Sequence, residues 1–80
     1  MRVYPIIIGM GSLIRVKLAK RIRELRKKRG LTQEKTAETA GLKYKYFQRV
    51  EGKKPPNMRV ETIEKIAKAL KIQIADLFKK

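Results

Sequence analysis

Residues 31–52 read LTQEKTAETAGLKYKYFQRVEG, and this stretch decides the fold of the chain. Two short patterns of helical spacing meet there at Gly41, which suits a helix-ending turn because it has no Cβ. Thr32 suits the N-cap of the first pattern, since its hydroxyl can accept from a free backbone N–H. Two short helices joined by a brief turn that contains Gly form the helix-turn-helix pattern.

Apolar side chains give each of these helices one inward face. We predict helix 2 from the Thr32 cap to about residue 39 or 40, and helix 3 over about residues 43–51. The residues expected to face inward are Ala37, Ala40, Leu42, Phe47 and Val50. The residues left on the free faces of helix 3 are Lys43, Tyr44, Lys45, Gln48 and Arg49.

Three further helical patterns flank this stretch. Helix 1 is predicted over about residues 13–28, with Ser12 as its cap and Gly30 just beyond its end. A regular apolar stripe predicts helix 4 from about residue 59 or 60 to residue 70, and a short helix 5 follows over about residues 73–78. We therefore expect an all-α fold, a compact five-helix bundle over residues 12–80.

The first eleven residues, MRVYPIIIGMG, differ in composition from the rest of the chain. Their β-branched residues favour an extended conformation, and Pro5 would confine any strand to an edge. Three interpretations stay open: a flexible arm, a strand that pairs with another subunit, or a start codon assigned too early, with Met10 the true first residue. We expect residues 1–11 to form an extended or flexible segment.

The charge of the chain points to a polyanionic partner. Lys and Arg number 22 against seven acids, which gives a formal net charge of +15 over 80 residues. This exceeds what solubility needs, so nucleic acid is the leading partner and an anionic membrane surface is the second. A chain of this length fits one domain with a small core.

Several kinds of chemistry are not expected from this composition. The chain has no His and no Cys, which excludes the usual zinc site, a disulfide framework and catalysis by His or Cys. We expect no enzyme activity, no catalytic residue, no metal and no cofactor. The apolar run at residues 6–8 is too short to span a bilayer, so we expect a cytoplasmic protein without a membrane partner.

Residues 18–78 resemble the lambda-repressor-like, or XRE-type, helix-turn-helix DNA-binding family. The resemblance rests on LTQE opening helix 2, Gly41 and Leu42 at the turn, and TIEKIAKAL before the closing DLF. Two residues depart from the family pattern. Thr36 stands where a large apolar residue is usual, which should loosen the packing of helix 2. Lys71 replaces the usual Gly after helix 4.

The resemblance implies that helix 3 lies in the major groove of double-stranded DNA. It directs Tyr44, Lys45, Gln48 and Arg49 toward the bases, and Lys43 toward the backbone. These residue types suit the task, because Arg and Lys donate to guanine, Gln pairs with adenine, and Tyr can contact a thymine methyl group. The resemblance also implies that Gln33 clamps a phosphate and that Lys53 and Lys54 lie near the backbone.

The resemblance further implies an ion pair between Arg26, at the end of helix 1, and Glu51, at the end of helix 3. In related domains this pair is partly buried. Glu51 is then a structural residue and does not contact a base.

We expect a transcriptional regulator, a repressor or autoregulator, that binds an inverted repeat as a homodimer. A restriction-modification controller, an antitoxin and a small phage-type repressor all fit this size. The alternative is a protein-interaction module, with a partner such as a toxin, whose DNA binding serves autoregulation. A third possibility, binding of RNA or anionic membrane by charge alone, predicts no sequence preference and strong salt dependence.

Overall fold

Five helices make up the described part of the chain. The structure, a computed structural model, describes residues 4–78, with side chains from residue 13 onward. Its helices are α1 (Tyr4–Lys28), α2 (Gln33–Ala40), α3 (Tyr44–Val50), α4 (Val60–Ala69) and α5 (Ile74–Leu77). The predicted all-α fold is confirmed. None of the helices over residues 4–78 is long and apolar enough to cross a membrane.

One apolar core joins all five helices. Helix α2 packs against α3 and α4, α4 packs against α5, and α5 packs against α1. The core residues are Leu18, Ile22, Ala37, Phe47, Val50, Ile66, Ala67, Leu70 and Leu77. Phe47 and Val50 are fully buried, so the inward face of α3 is fixed. Burial of side chains of this size stabilises a fold by about 1.5–3 kcal/mol each.

Thr36 is also fully buried, at the position where the sequence predicts looser packing. Its hydroxyl donates to the carbonyl oxygen of Thr32 at 2.9 Å, so the buried polar group has a partner. The residue therefore fits without an unsatisfied donor, although it contributes less apolar area than a larger residue would.

Helices α1, α2 and α4 end in the same hydrogen-bonding motif. After α2, the N–H of Gly41 donates to the carbonyl of Glu38 and the N–H of Leu42 donates to that of Ala37, at 3.1 and 2.8 Å. This is the Schellman arrangement, which needs a left-handed residue just past the helix. The left-handed residues are Gly30, Gly41 and Lys71, with φ of 70°, 72° and 58°.

Lys71 is the only one of the three that carries a side chain, so it should be strained. A left-handed conformation costs a non-glycine residue roughly 1–2 kcal/mol. A glycine at this position would remove the strain, but glycine loses more backbone entropy on folding, which offsets roughly 0.5–1 kcal/mol of the stability gained. Lys71→Gly is therefore expected to raise the free energy of unfolding by about 0.5–1 kcal/mol, measured by urea denaturation. Lys71→Ala removes the same charge and keeps the strain; an equal gain in this control would contradict the explanation.

Helix α1 starts earlier than the sequence predicts. It begins at Tyr4, so Ser12 is not its N-cap and residues 4–11 are helical in the structure. Pro5 occupies the first turn, where the N–H that it lacks would have no partner inside the helix. The β-branched residues 6–8 each cost less than about 0.7 kcal/mol, and elongation of an existing helix needs no new nucleus. Residues 1–3 lie outside the described part of the chain, and the separate arm stays a prediction.

Candidate nucleic-acid interface

The outward face of α3 presents four polar side chains. Because Phe47 and Val50 point into the core, Tyr44, Lys45, Gln48 and Arg49 are left on the surface, and all four are exposed. Residues four apart lie one above the other on a helix, which pairs Tyr44 with Gln48 and Lys45 with Arg49. The helix thus offers two adjacent rows of hydrogen-bonding groups on one face.

Basic residues lie at both ends of α3. Lys43 is the extended residue that precedes the helix, and its side chain is exposed. At the other end Gly52 lies close to the last turn, because a Cβ there would come within 3.3 Å of the carbonyl oxygens of Gln48 and Arg49. The exposed Lys53 and Lys54 follow at once. A shallow basic depression is lined by Lys45, Gln48, Arg49, Gly52, Lys53 and Lys54.

A second depression adjoins the first and reaches the start of α2. Gln48 and Gly52 line both of them. The other residues of the second depression are Arg23, Arg26, Thr32, Gln33, Glu34, Tyr44 and Glu51. The structure therefore brings Gln33, from α2, onto the same surface as the exposed face of α3.

Arg23 is a candidate contact residue that the sequence does not single out. It belongs to the basic part of α1, where helical spacing alone does not say which cation faces α2. In the structure it is exposed and lines the second depression with Gln33 and Gln48. Only the packing of the helices reveals this position.

The start of α2 is capped as the sequence predicts. The Thr32 hydroxyl accepts from the backbone N–H of Lys35 at 3.0 Å. The first N–H groups of a helix have no partner inside it, and together with the helix dipole they favour an anion. Gln33 is the first residue of α2 and is half-buried, so its side chain lies beside these groups.

Arg26 and Glu51 meet as the resemblance implies. The Nε and Nη2 atoms of Arg26 donate to the two carboxylate oxygens of Glu51 at 2.7 and 3.0 Å. The two residues are only 8% and 9% exposed. Arg26 Nη1 also donates to the carbonyl of Leu31 at 2.7 Å, so the pair joins the ends of α1 and α3 to the segment before α2.

Gln33 takes part in the same network, which the sequence does not predict. Its Nε2 donates to Oε1 of Glu51 at 3.0 Å. The phosphate-clamp candidate is therefore tied to the buried ion pair.

A match to a protein-family model identifies the family to which this arrangement of helices belongs. The model of the Cro/C1-type helix-turn-helix DNA-binding domain matches residues 21–79. The chain belongs to this family. This Cro/C1-type domain is accordingly a DNA-binding transcriptional regulator, with α2 and α3 as its helix-turn-helix.

Solved structures of similar fold include controller proteins and a hypothetical transcription factor. The restriction-modification controller protein C.AhdI from Aeromonas hydrophila is 41% identical, with a TM-score of 0.74, over 79% of this chain and 94% of that one. The controller protein C.Esp1396I is 27% identical, with a TM-score of 0.77, over 84% and 86%. A hypothetical transcription factor from Neisseria is 35% identical, with a TM-score of 0.76, over 82% and 75%. No curated protein sequence matches this Cro/C1-type chain.

Proposed function

We propose that the protein is a sequence-specific regulator that binds an inverted-repeat operator as a homodimer. The observation that carries this proposal is the orientation of α3. Its apolar side is buried in the core, and this fixes four exposed polar side chains on the opposite side of the helix. When a helix-turn-helix binds DNA, the N-terminal part of its second helix, which is α3 here, contacts base edges in the major groove. Tyr44, Lys45, Gln48 and Arg49 are the proposed base-contacting residues.

The residues around α3 are proposed to bind the DNA backbone. Contacts to phosphate fix the register of a protein on the duplex but carry no sequence information. The proposed backbone residues are Arg23, Gln33, Lys43, Lys53 and Lys54. The two adjoining depressions, which all of them except Lys43 line, support this role.

The homodimer is proposed to form through α5 and the exposed parts of α4. Val60, at the start of α4, and Phe78, just after α5, are large apolar residues with 71% and 54% of their surface exposed, and burial of these side chains would favour association. Two copies would place their α3 helices about 34 Å apart, so the half-sites should be about one helical turn apart.

Control of restriction-modification genes is the regulatory role we propose. The support is the similarity to C.AhdI over most of both chains. The second candidate is an antitoxin-type module that binds a protein partner. Exposure of Leu13, Ile14 and Val16 on α1 favours this candidate. If deletion of residues 1–9 combined with Leu13→Ser, Ile14→Ser and Val16→Ser leaves dimerisation and operator binding unchanged, the second candidate loses its support.

Selection of bound sites from random duplexes tests the proposed function. A palindromic motif with half-sites about one turn apart is expected. Recovery of unrelated sequences, together with binding that disappears at moderate salt, would instead indicate binding by charge alone.

Gln33→Ala is expected to weaken binding to all duplexes alike, because a phosphate contact does not distinguish bases. The measurement is the dissociation constant for the selected operator and for a random duplex of equal length at one salt concentration. A loss confined to the operator would contradict the clamp.

A further inference from the structure

We propose that Glu51 is a positioning residue for DNA-backbone binding, whose carboxylate orients the amide of Gln33 toward a phosphate. The inference rests on the proposed function, because it assumes that Gln33 contacts the backbone. It gives Glu51 a role in binding beyond its ion pair with Arg26.

The geometry gives one N–H group of the Gln33 amide a partner, Glu51, and leaves the other N–H group for a phosphate. Oε1 of Glu51 accepts from Nε2 of Gln33 and from Nη2 of Arg26, each at 3.0 Å. A glutamine amide nitrogen carries two N–H groups, so one is used by Glu51 and the other is left for a phosphate oxygen.

The carboxylate itself is well fixed. Arg26 binds both of its oxygens, and Arg26 is held in turn by the carbonyl of Leu31. A long side chain that is already held in its binding conformation loses less entropy when the ligand arrives. The guanidinium of Arg26 also offsets the negative charge that would otherwise repel a phosphate.

If Glu51 positions Gln33, Glu51→Gln should change the affinity for DNA in the opposite direction from that expected from net charge alone. Removal of one acid raises the net charge from +15 to about +16, which by charge alone should tighten binding to DNA. The glutamine keeps only one acceptor oxygen for the three donors that the carboxylate serves, so Gln33 should be held less firmly and binding should weaken. Glu34→Gln is the matched control, since it makes the same change of charge at an exposed residue that lines one depression with Gln33 and Glu51.

The experiment measures affinity for a random duplex with five proteins: wild type, Glu51→Gln, Glu34→Gln, Gln33→Ala, and the double variant Gln33→Ala with Glu51→Gln. Each is first shown to be folded by circular dichroism at the assay temperature. Glu51→Gln is expected to bind roughly two- to tenfold more weakly, the value of one hydrogen bond. Glu34→Gln should bind as tightly as wild type or more tightly.

The double variant separates positioning from a purely structural effect. In the Gln33→Ala background, Glu51→Gln is expected to cause no further loss, because the side chain that it orients is gone. Additive losses, or tighter binding by Glu51→Gln alone, would overturn the inference and leave the proposed function intact. Failure of the wild type to bind duplex DNA would overturn both.

A second measurement needs only the wild-type protein, in case Glu51→Gln does not fold. The two side-chain amide protons of Gln33 are followed by NMR while random duplex is added. The proton that faces the phosphate is expected to shift more than the proton that is bonded to Glu51. Equal shifts of the two protons, or no shift of either, would overturn the inference.

Discussion

Replacing Glu51 with Ala is expected to lower the free energy of unfolding by about 3–5 kcal/mol. The substitution leaves the guanidinium of Arg26 buried without its carboxylate partner, and Arg26 is only 8% exposed. It also removes the acceptor of the Gln33 amide. The result is measured by urea denaturation at neutral pH.

The matched control is Glu24→Ala. Glu24 pairs with Arg21 at 3.8 Å, and its side chain is 66% exposed. A surface pair of this kind contributes under about 1 kcal/mol. If Glu51→Ala costs no more than this control, the ion pair does not behave as a buried one.

The second large effect is expected in base recognition. Lys45→Ala or Gln48→Ala should each lower the preference for the operator over random DNA by roughly 1–3 kcal/mol, the value of a bidentate base contact. Both side chains are exposed on α3, so their removal should leave the fold intact. The measurement is the ratio of dissociation constants for the selected operator and a random duplex.

Lys53→Ala is the control for this prediction, since it removes a charge from the same depression without touching α3. It should weaken binding to both duplexes equally and reduce the salt dependence. Equal losses on both duplexes for Lys45→Ala and Gln48→Ala would refute base recognition by α3.

Local signals predict most of the fold. Thr32 and Gly41 mark the ends of α2 through interactions within a few residues, and the structure has both. Ala37, Phe47 and Val50 are buried as their spacing predicts. Such features depend on helical periodicity and on capping chemistry, which a single sequence displays directly.

Features that depend on distant residues are harder to predict. Gln33 and Glu51 are 18 positions apart, and their hydrogen bond exists only because α2 packs on α3. Arg23 is distinguished from its basic neighbours only by the packing of the helices. The early start of α1 is hidden in the sequence, because Ser12 and the β-branched residues before it resemble a helix boundary.

The brevity of α3 has a consequence for engineering of the proposed DNA recognition. The helix runs only from Tyr44 to Val50, whereas isolated helices shorter than about 12–15 residues are marginal in water. A free peptide with this sequence would therefore not keep the proposed base-contacting side chains on one face. If α3 contacts the bases as we propose, variants with a different operator preference have to be made in the intact domain, because a change that unfolds the domain also removes this face.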